Sequence, residues 1–199
     1  MSQDQFLPTP SLPNRIEIHA LPTQTLSAEE FLTGSQGKSH VLAAELKIPQ
    51  GQNAKFPAVV LMHGSGGIGS NIEPWTHALN QAGFATLVVD SFSGRGITST
   101  IQDQTQLNSL AMVVDGYRAL NLLSKHARID SSKISILGFS KGAVASMFSA
   151  STRLTALYGG GAKFAAHIGL YVPCNTRIMG DTDVTGAPMR FFNGTTDDY

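Results

Sequence analysis

Ile134-Ser-Ile-Leu-Gly-Phe-Ser-Lys-Gly142 is the stretch on which the reading of this chain turns. The apolar run Ile134–Leu137 runs straight into Gly138-Phe139-Ser140-Lys141-Gly142, a G-x-S-x-G pentapeptide. A glycine on each side of the serine lets the backbone turn sharply from strand to helix. The turn exposes the serine Oγ at a helix N-terminus. With 20 glycines in 199 residues, roughly 0.2 chance matches to the pattern are expected. The flanking sequence therefore has to carry the interpretation.

Upstream and downstream lie further runs of the same kind. Ala58-Val-Val-Leu-Met62, Ala85-Thr-Leu-Val-Val89, Ala166-His-Ile-Gly-Leu-Tyr-Val172 and Met189-Arg-Phe-Phe192 are nearly continuous apolar segments. Strands buried on both faces have this character. Helical patterns separate them. Pro74-Trp75 to Gln81 stops at Gly83, and Leu107 to Ser124 sets Leu110, Val113, Val114, Tyr117, Leu120 and Leu123 on one stripe. A third pattern runs from Lys141 to about Leu157. Ahead of them, Arg15–Ala20 alternates and Val41–Ile48 offers a partner, as in an antiparallel lead-in pair. The order predicts one α/β domain over 15–199, its sheet mostly parallel with helices on both faces. Residues 1–14, with Pro8, Pro10 and Pro13, read as an irregular arm, and 173–188 as a loop.

Composition narrows the class. Hydrophobic residues make up 42% and charged residues 14%, and the 14 Lys+Arg balance the 14 Asp+Glu. Such a surface has no net field to draw nucleic acid or an anionic membrane. The single cysteine, Cys174, excludes an internal disulfide framework. The first residues lack a signal peptide's charged and apolar regions, so a cytoplasmic, soluble protein is expected.

Two further segments supply chemistry around Ser140. His63-Gly64-Ser65-Gly66-Gly67 follows the first buried strand, and backbone N–H groups in such a turn can face a developing oxyanion. The N–H of Lys141 at the head of the next helix is the natural second donor. Gly66 joins the same candidate surface. Near the end, Gly194-Thr-Thr-Asp197-Asp198 places carboxylates just past a strand. A triad of chain order Ser…Asp…His needs its acid there.

Together these residues resemble the α/β-hydrolase superfamily, and more narrowly its dienelactone hydrolase-like group. Pro74-Trp75, Val89-Asp-Ser-Phe-Ser-Gly-Arg-Gly96 and Tyr171-Val-Pro-Cys174 add to the likeness, which runs from about residue 40 to the end. The resemblance implies hydrolysis of a carboxylic ester or lactone through an acyl-enzyme, with no metal or organic cofactor. Ser140 maps to the nucleophile, Asp197 to the acid, Ser65 and Lys141 to the oxyanion N–H groups. The dienelactone hydrolases that name the group use cysteine where this chain has serine. The catalytic histidine should follow the acid after another helix and strand, about 25–40 residues further on. The sequence ends at Tyr199, so the expectation is a fold short of its last strand, completed by a further segment or a companion chain. Association through the open sheet edge follows from it.

Other residues invite two readings. Arg95 is either a clamp for a substrate carboxylate or part of an internal salt bridge. Ser140 could simply cap a helix. The Lys141 side chain is expected to face solvent, Cys174 to be small and buried, Trp75 to pack a helix, and Asp90 to order its own loop. His63 is expected to hold the turn it precedes. Gly64-Ser-Gly66-Gly-Ile-Gly69, with Asp90 at the next strand end, also fits a dinucleotide-binding fingerprint. That alternative makes the chain an NAD(P)-linked oxidoreductase. It leaves the Ser140 pentapeptide unexplained and lacks a Tyr-x-x-x-Lys pair. A third reading is a hydrolase-fold binding module without catalysis.

Overall fold

The computed structural model describes residues 15–51, 54–174, 177–178, 180 and 182–196. The expected arm over 1–14 lies outside them, as do Asp197 and Asp198. In chain order the elements are β1 (Arg15–Thr25), α1 (Ala28–Thr33), β2 (Lys38–Ile48), β3 (Phe56–Met62), α2 (Ile72–Gln81), β4 (Ala85–Asp90), α3 (Ser109–Ser124), β5 (Ile129–Phe139), α4 (Lys141–Phe148), α5 (Thr152–Tyr158), β6 (His167–Leu170) and β7 (Met189–Phe192). They build one seven-stranded sheet in the order β1-β2-β4-β3-β5-β6-β7. The β1–β2 and β2–β4 pairs are antiparallel, and the remaining pairs are parallel.

Burial on both faces is why the central strands are apolar throughout. Successive side chains point to opposite faces. Val60, Met62, Leu87, Val89, Ile134 and Ile136 pack with α3, α4 and α5 in the larger core. Val59, Leu61, Val88, Leu137 and Phe139 face the other way, onto Ile72 of α2. The predicted stripe of α3 is wholly buried, and so are Met112, Asp115, Gly116 and Ala119 on its other sides.

Three local readings need correction. The single helix over 141–157 is two helices. Ser149 Oγ donates to Ser146 O, and Ser151 caps α5 by accepting from Leu154 N–H. Hydroxyl side chains that bond nearby backbone compete with helix continuation. Second, α1 interrupts the lead-in pair. Its signal is the capping box Ser27-x-x-Glu30, with Ser27 N–H donating to Glu30 Oε2 at 2.7 Å and Glu30 N–H to Ser27 Oγ at 3.2 Å. Third, β6 stops at Leu170 rather than Val172, because Tyr171 takes φ +59°. No helix among the described residues is long and apolar enough to cross a membrane.

Candidate active site

Ser140 stands alone between β5 and α4. Its backbone has φ 49° and ψ −113°, a conformation that costs a residue with a Cβ of order 1–3 kcal/mol and clusters at functional sites. The serine side chain makes no capping hydrogen bond, so the helix-cap reading fails. Neighbouring structure enforces the turn. Ser140 N–H donates to Leu170 O at 2.8 Å, and Ala143 N–H to Ser140 O at 2.8 Å. Both flanking glycines are required by close approach. A Cβ at Gly138 would strike the backbone of Gly142, and one at Gly142 would strike the carbonyls of Met62 and His63.

The Gly64–Gly67 turn lies against this elbow. A Cβ on Gly64 would stand 3.2 Å from Phe139 O and 3.4 Å from Ser140 Cβ. Gly64, Ser65, Gly66, Asn71, Ser140 and Tyr171 line one cavity of 390 Å³, closed on a further side by Ile101 and Gln104. Two non-glycine residues with positive φ, Ser140 and Tyr171, therefore share one cavity at the carboxyl ends of adjacent parallel strands. Open α/β sheets bind ligands at such ends. A larger cavity, 730 Å³, lies between β1, β2 and α3. It contains no serine with a strained backbone, and chemistry rather than volume selects the smaller one.

Lys141 begins α4, where first-turn N–H groups have no intrahelical acceptor. Its side chain departs from expectation: it is 3% exposed rather than solvent-facing. The ammonium donates to Gln104 O at 3.2 Å and to Gln104 Oε1 at 3.0 Å. Burial lowers its pKa, while the Asp103 carboxylate works the other way.

Histidines are placed away from the cavity. His63 is fully buried; its Nε2 accepts from Ser91 N–H at 3.1 Å and its Nδ1 sits 2.8 Å from Gly64 O. A ring that accepts at Nε2 carries its proton at Nδ1, so it donates to Gly64 O and fixes the Gly-rich turn. Burial lowers its pKa and keeps it neutral. His167 lies within β6, 1% exposed, with Nδ1 3.0 Å from Ser149 Oγ and 3.1 Å from Ser146 O. His19 and His126 flank Glu17, at 3.0 and 3.3 Å, and His40 Nδ1 is 3.3 Å from Gly94 O. No histidine lines the Ser140 cavity among the described residues.

Arg95 is not a substrate clamp. Its guanidinium is 2% exposed and makes a forked ion pair with Asp115, at 2.7 and 2.9 Å, with further bonds to Thr25 Oγ1, Ser91 O and Gln24 O. Its donors are spent inside the protein, where they tie β1 and the β4 exit to α3. Asp90 Oδ1 accepts from Phe92 and Ser93 N–H at 2.9 and 3.0 Å. Burial opposes its charge, but these bonds outweigh that and lower its pKa. Asp90 thus orders its own loop and is not presented to a ribose. Gly69, moreover, lies three residues ahead of α2. The dinucleotide reading therefore lacks its acid and its close glycine–helix packing. Cys174 is exposed, contrary to expectation, because it lies on the turn-rich segment after β6 rather than in the core.

Sequence reasoning missed Gln104, Asn71 and Ile101, which lie in polar, turn-rich segments with no pattern of their own. Tyr171 was visible as part of the apolar run 166–172 and of the resemblance, not as a cavity residue.

Residues 42–198 match the dienelactone hydrolase family. The chain belongs to the dienelactone hydrolase family. Solved structures agree on the fold. A Klebsiella pneumoniae protein assigned as a dienelactone hydrolase is 15% identical with a TM-score of 0.60, the match covering 89% of this chain and 72% of that one. A dienelactone hydrolase-like promiscuous phosphotriesterase from metagenomic libraries is 19% identical with a TM-score of 0.59, covering 92% and 70%. The hyperthermophilic esterase of Pyrobaculum calidifontis is 18% identical with a TM-score of 0.52, covering 83% and 46%. No relative among curated proteins matches the sequence. The protein is thus an α/β-hydrolase-fold hydrolase by family, and the NAD(P)-linked alternative is set aside.

Proposed function

We propose that the protein is a serine hydrolase of carboxylic esters or lactones acting through an acyl-enzyme. The observation that carries this reading is the strained Ser140 turn packed against Gly64, both opening on one 390 Å³ cavity. Ser140 Oγ attacks the acyl carbon. The oxyanion is received by the N–H groups of Ser65 and Lys141, with helix polarity adding favourable potential. The acid is Asp197, five residues past the end of β7 by count though outside the described residues. No described histidine faces the cavity, so the reading assigns the proton acceptor to a histidine from outside these 199 residues. The site for such a segment or companion chain is the edge strand β7, where Phe191 and Phe192 are exposed and Phe192 O receives Tyr171 N–H at 2.9 Å. The imidazole takes the serine proton and returns it to the leaving alcohol. Water, activated the same way, then releases the acid.

Hydrolysis of p-nitrophenyl acetate by the full protein tests this. Ser140→Ala is expected to lose at least ~10³ in kcat; an unchanged rate would refute the assignment. The absence of a histidine from the cavity lining favours one other reading, a binding module of the hydrolase fold. It predicts no turnover even in the full protein.

A further inference from the structure

The segment between β4 and α3 lines the cavity through Ile101 and Gln104 and is stitched to both of its turns. Thr100 N–H donates to Ser65 O at 2.8 Å, and Ser99 Oγ to the same oxygen at 3.2 Å. Further along, Gln104 reaches both turns with one side chain. Its Nε2 lies 3.0 Å and its Oε1 3.1 Å from Ser65 Oγ, and the same Oε1 accepts from Lys141 Nζ at 3.0 Å. An ammonium has only donors, so Lys141 fixes the amide with Oε1 toward itself, and the Ser65 hydroxyl meets the amide at both Oε1 and Nε2. Lys141 in turn needs Gln104: among the described residues its side-chain hydrogen bonds go only to that residue's two carbonyl oxygens. A buried ammonium without acceptors is costly.

Ser65 and Lys141 are the residues whose backbone N–H groups the hydrolase reading points at the oxyanion. They belong to separate turns, after β3 and after β5. Such donors act only when held about 2.7–3.1 Å from the oxyanion position. We infer that Gln104 is a positioning residue for the oxyanion hole, fixing the Ser65 turn and the head of α4 relative to one another through hydrogen bonds to both side chains. This rests on the serine hydrolase reading. Charge on Lys141 polarises the Gln104 amide, which strengthens its bond to Ser65. The bridge leaves both backbone N–H groups free for substrate while setting their separation. Gln104 itself touches no reacting atom.

The test is steady-state hydrolysis of p-nitrophenyl acetate by the full protein, with the concentration of active sites set by titration with an organophosphate. Gln104→Leu is expected to lose about tenfold in kcat per titrated site, with KM within about twofold. Gln104→Glu keeps an acceptor for Lys141 Nζ and for the Ser65 hydroxyl, and is expected to stay within about threefold of wild type. Ser65→Ala keeps the backbone N–H but removes the hydroxyl partner, and is expected to lose about threefold or more. Misfolding would lower the number of titrated sites and leave kcat per site unchanged. Wild-type kcat in Gln104→Leu overturns the inference; should that variant fail to fold, wild-type kcat in Ser65→Ala overturns it. Ser140→Ala separates the two levels. If it is inactive while the Gln104 and Ser65 variants match wild type, the hydrolase reading stands and the bridge falls. If Ser140→Ala keeps its rate, or the wild type has none, the reading falls and the inference with it.

Discussion

At Ser140 and at Arg95, single residues show how strongly the surroundings dictate what a side chain can do. Ser140 is held at φ 49° by the bonds to Leu170 O and from Ala143 N–H, and by glycine contacts that admit no Cβ. Arg95 shows the opposite outcome for a candidate site residue. Its sequence context, Ser-Gly-Arg-Gly after a strand, suits a substrate clamp as well as a salt bridge. Asp115, buried at 0% exposure on α3, decides it. Removing one partner of such a pair leaves an uncompensated buried charge. Arg95→Met is therefore expected to cost about 3–5 kcal/mol in urea unfolding while leaving KM of the folded fraction unchanged. A raised KM with full stability would return Arg95 to the substrate.

Elements that carry their own pattern were legible from sequence, and those shaped by polar local bonds were not. The α3 stripe stands where apolar periodicity puts it, and the run Met189–Phe192 is a strand as expected, though at the sheet edge it is mostly exposed rather than buried on both faces. β5 begins five residues before the apolar run, because Asp130-Ser-Ser-Lys133 are polar and exposed or half-buried while still in the strand. The α4–α5 break was hidden because Ala, Leu and Met continue the helical pattern through Ser149-Ala-Ser151. The side-chain bonds of Ser149 and Ser151, and backbone bonds from Thr152 N–H to Asp183 O and from Thr185 N–H to Ala150 O, end it. Ser151→Ala is expected to cost about 1 kcal/mol by loss of the α5 cap, measured by urea unfolding. No change would mean that the cap does not determine the break. Within the site, the two glycine turns were legible because glycine spacing marks them. Gln104 and the buried course of Lys141 were not, since a bridge between residues 37 and 39 positions apart leaves no periodicity.

Across the whole molecule, the sheet has unequal cover. The larger core lies on the α3 side, and α2 covers the other face beside β3, β4 and β5. Buried neutral histidines add a pH dependence to that architecture. Burial holds His167 down to about 4 and lowers His63 as well. Unfolded histidine titrates near 6.5, so below that pH the unfolded chain binds protons that the fold refuses. Stability should fall as pH drops from about 6.5 toward 4, by up to about 1.4 kcal/mol per pH unit for His167 alone. Urea unfolding at pH 7.5 and pH 5 checks this, and His167→Asn should weaken the dependence. An equally steep wild type and variant would assign the acid sensitivity elsewhere. The strained serine is the feature on which the function of the whole molecule turns. Its most direct test is intact mass and peptide mapping of the full protein after reaction with a fluorophosphonate. One adduct is expected, on Ser140, absent from Ser140→Ala. An adduct on another residue, or none in the wild type, would contradict the nucleophile assignment.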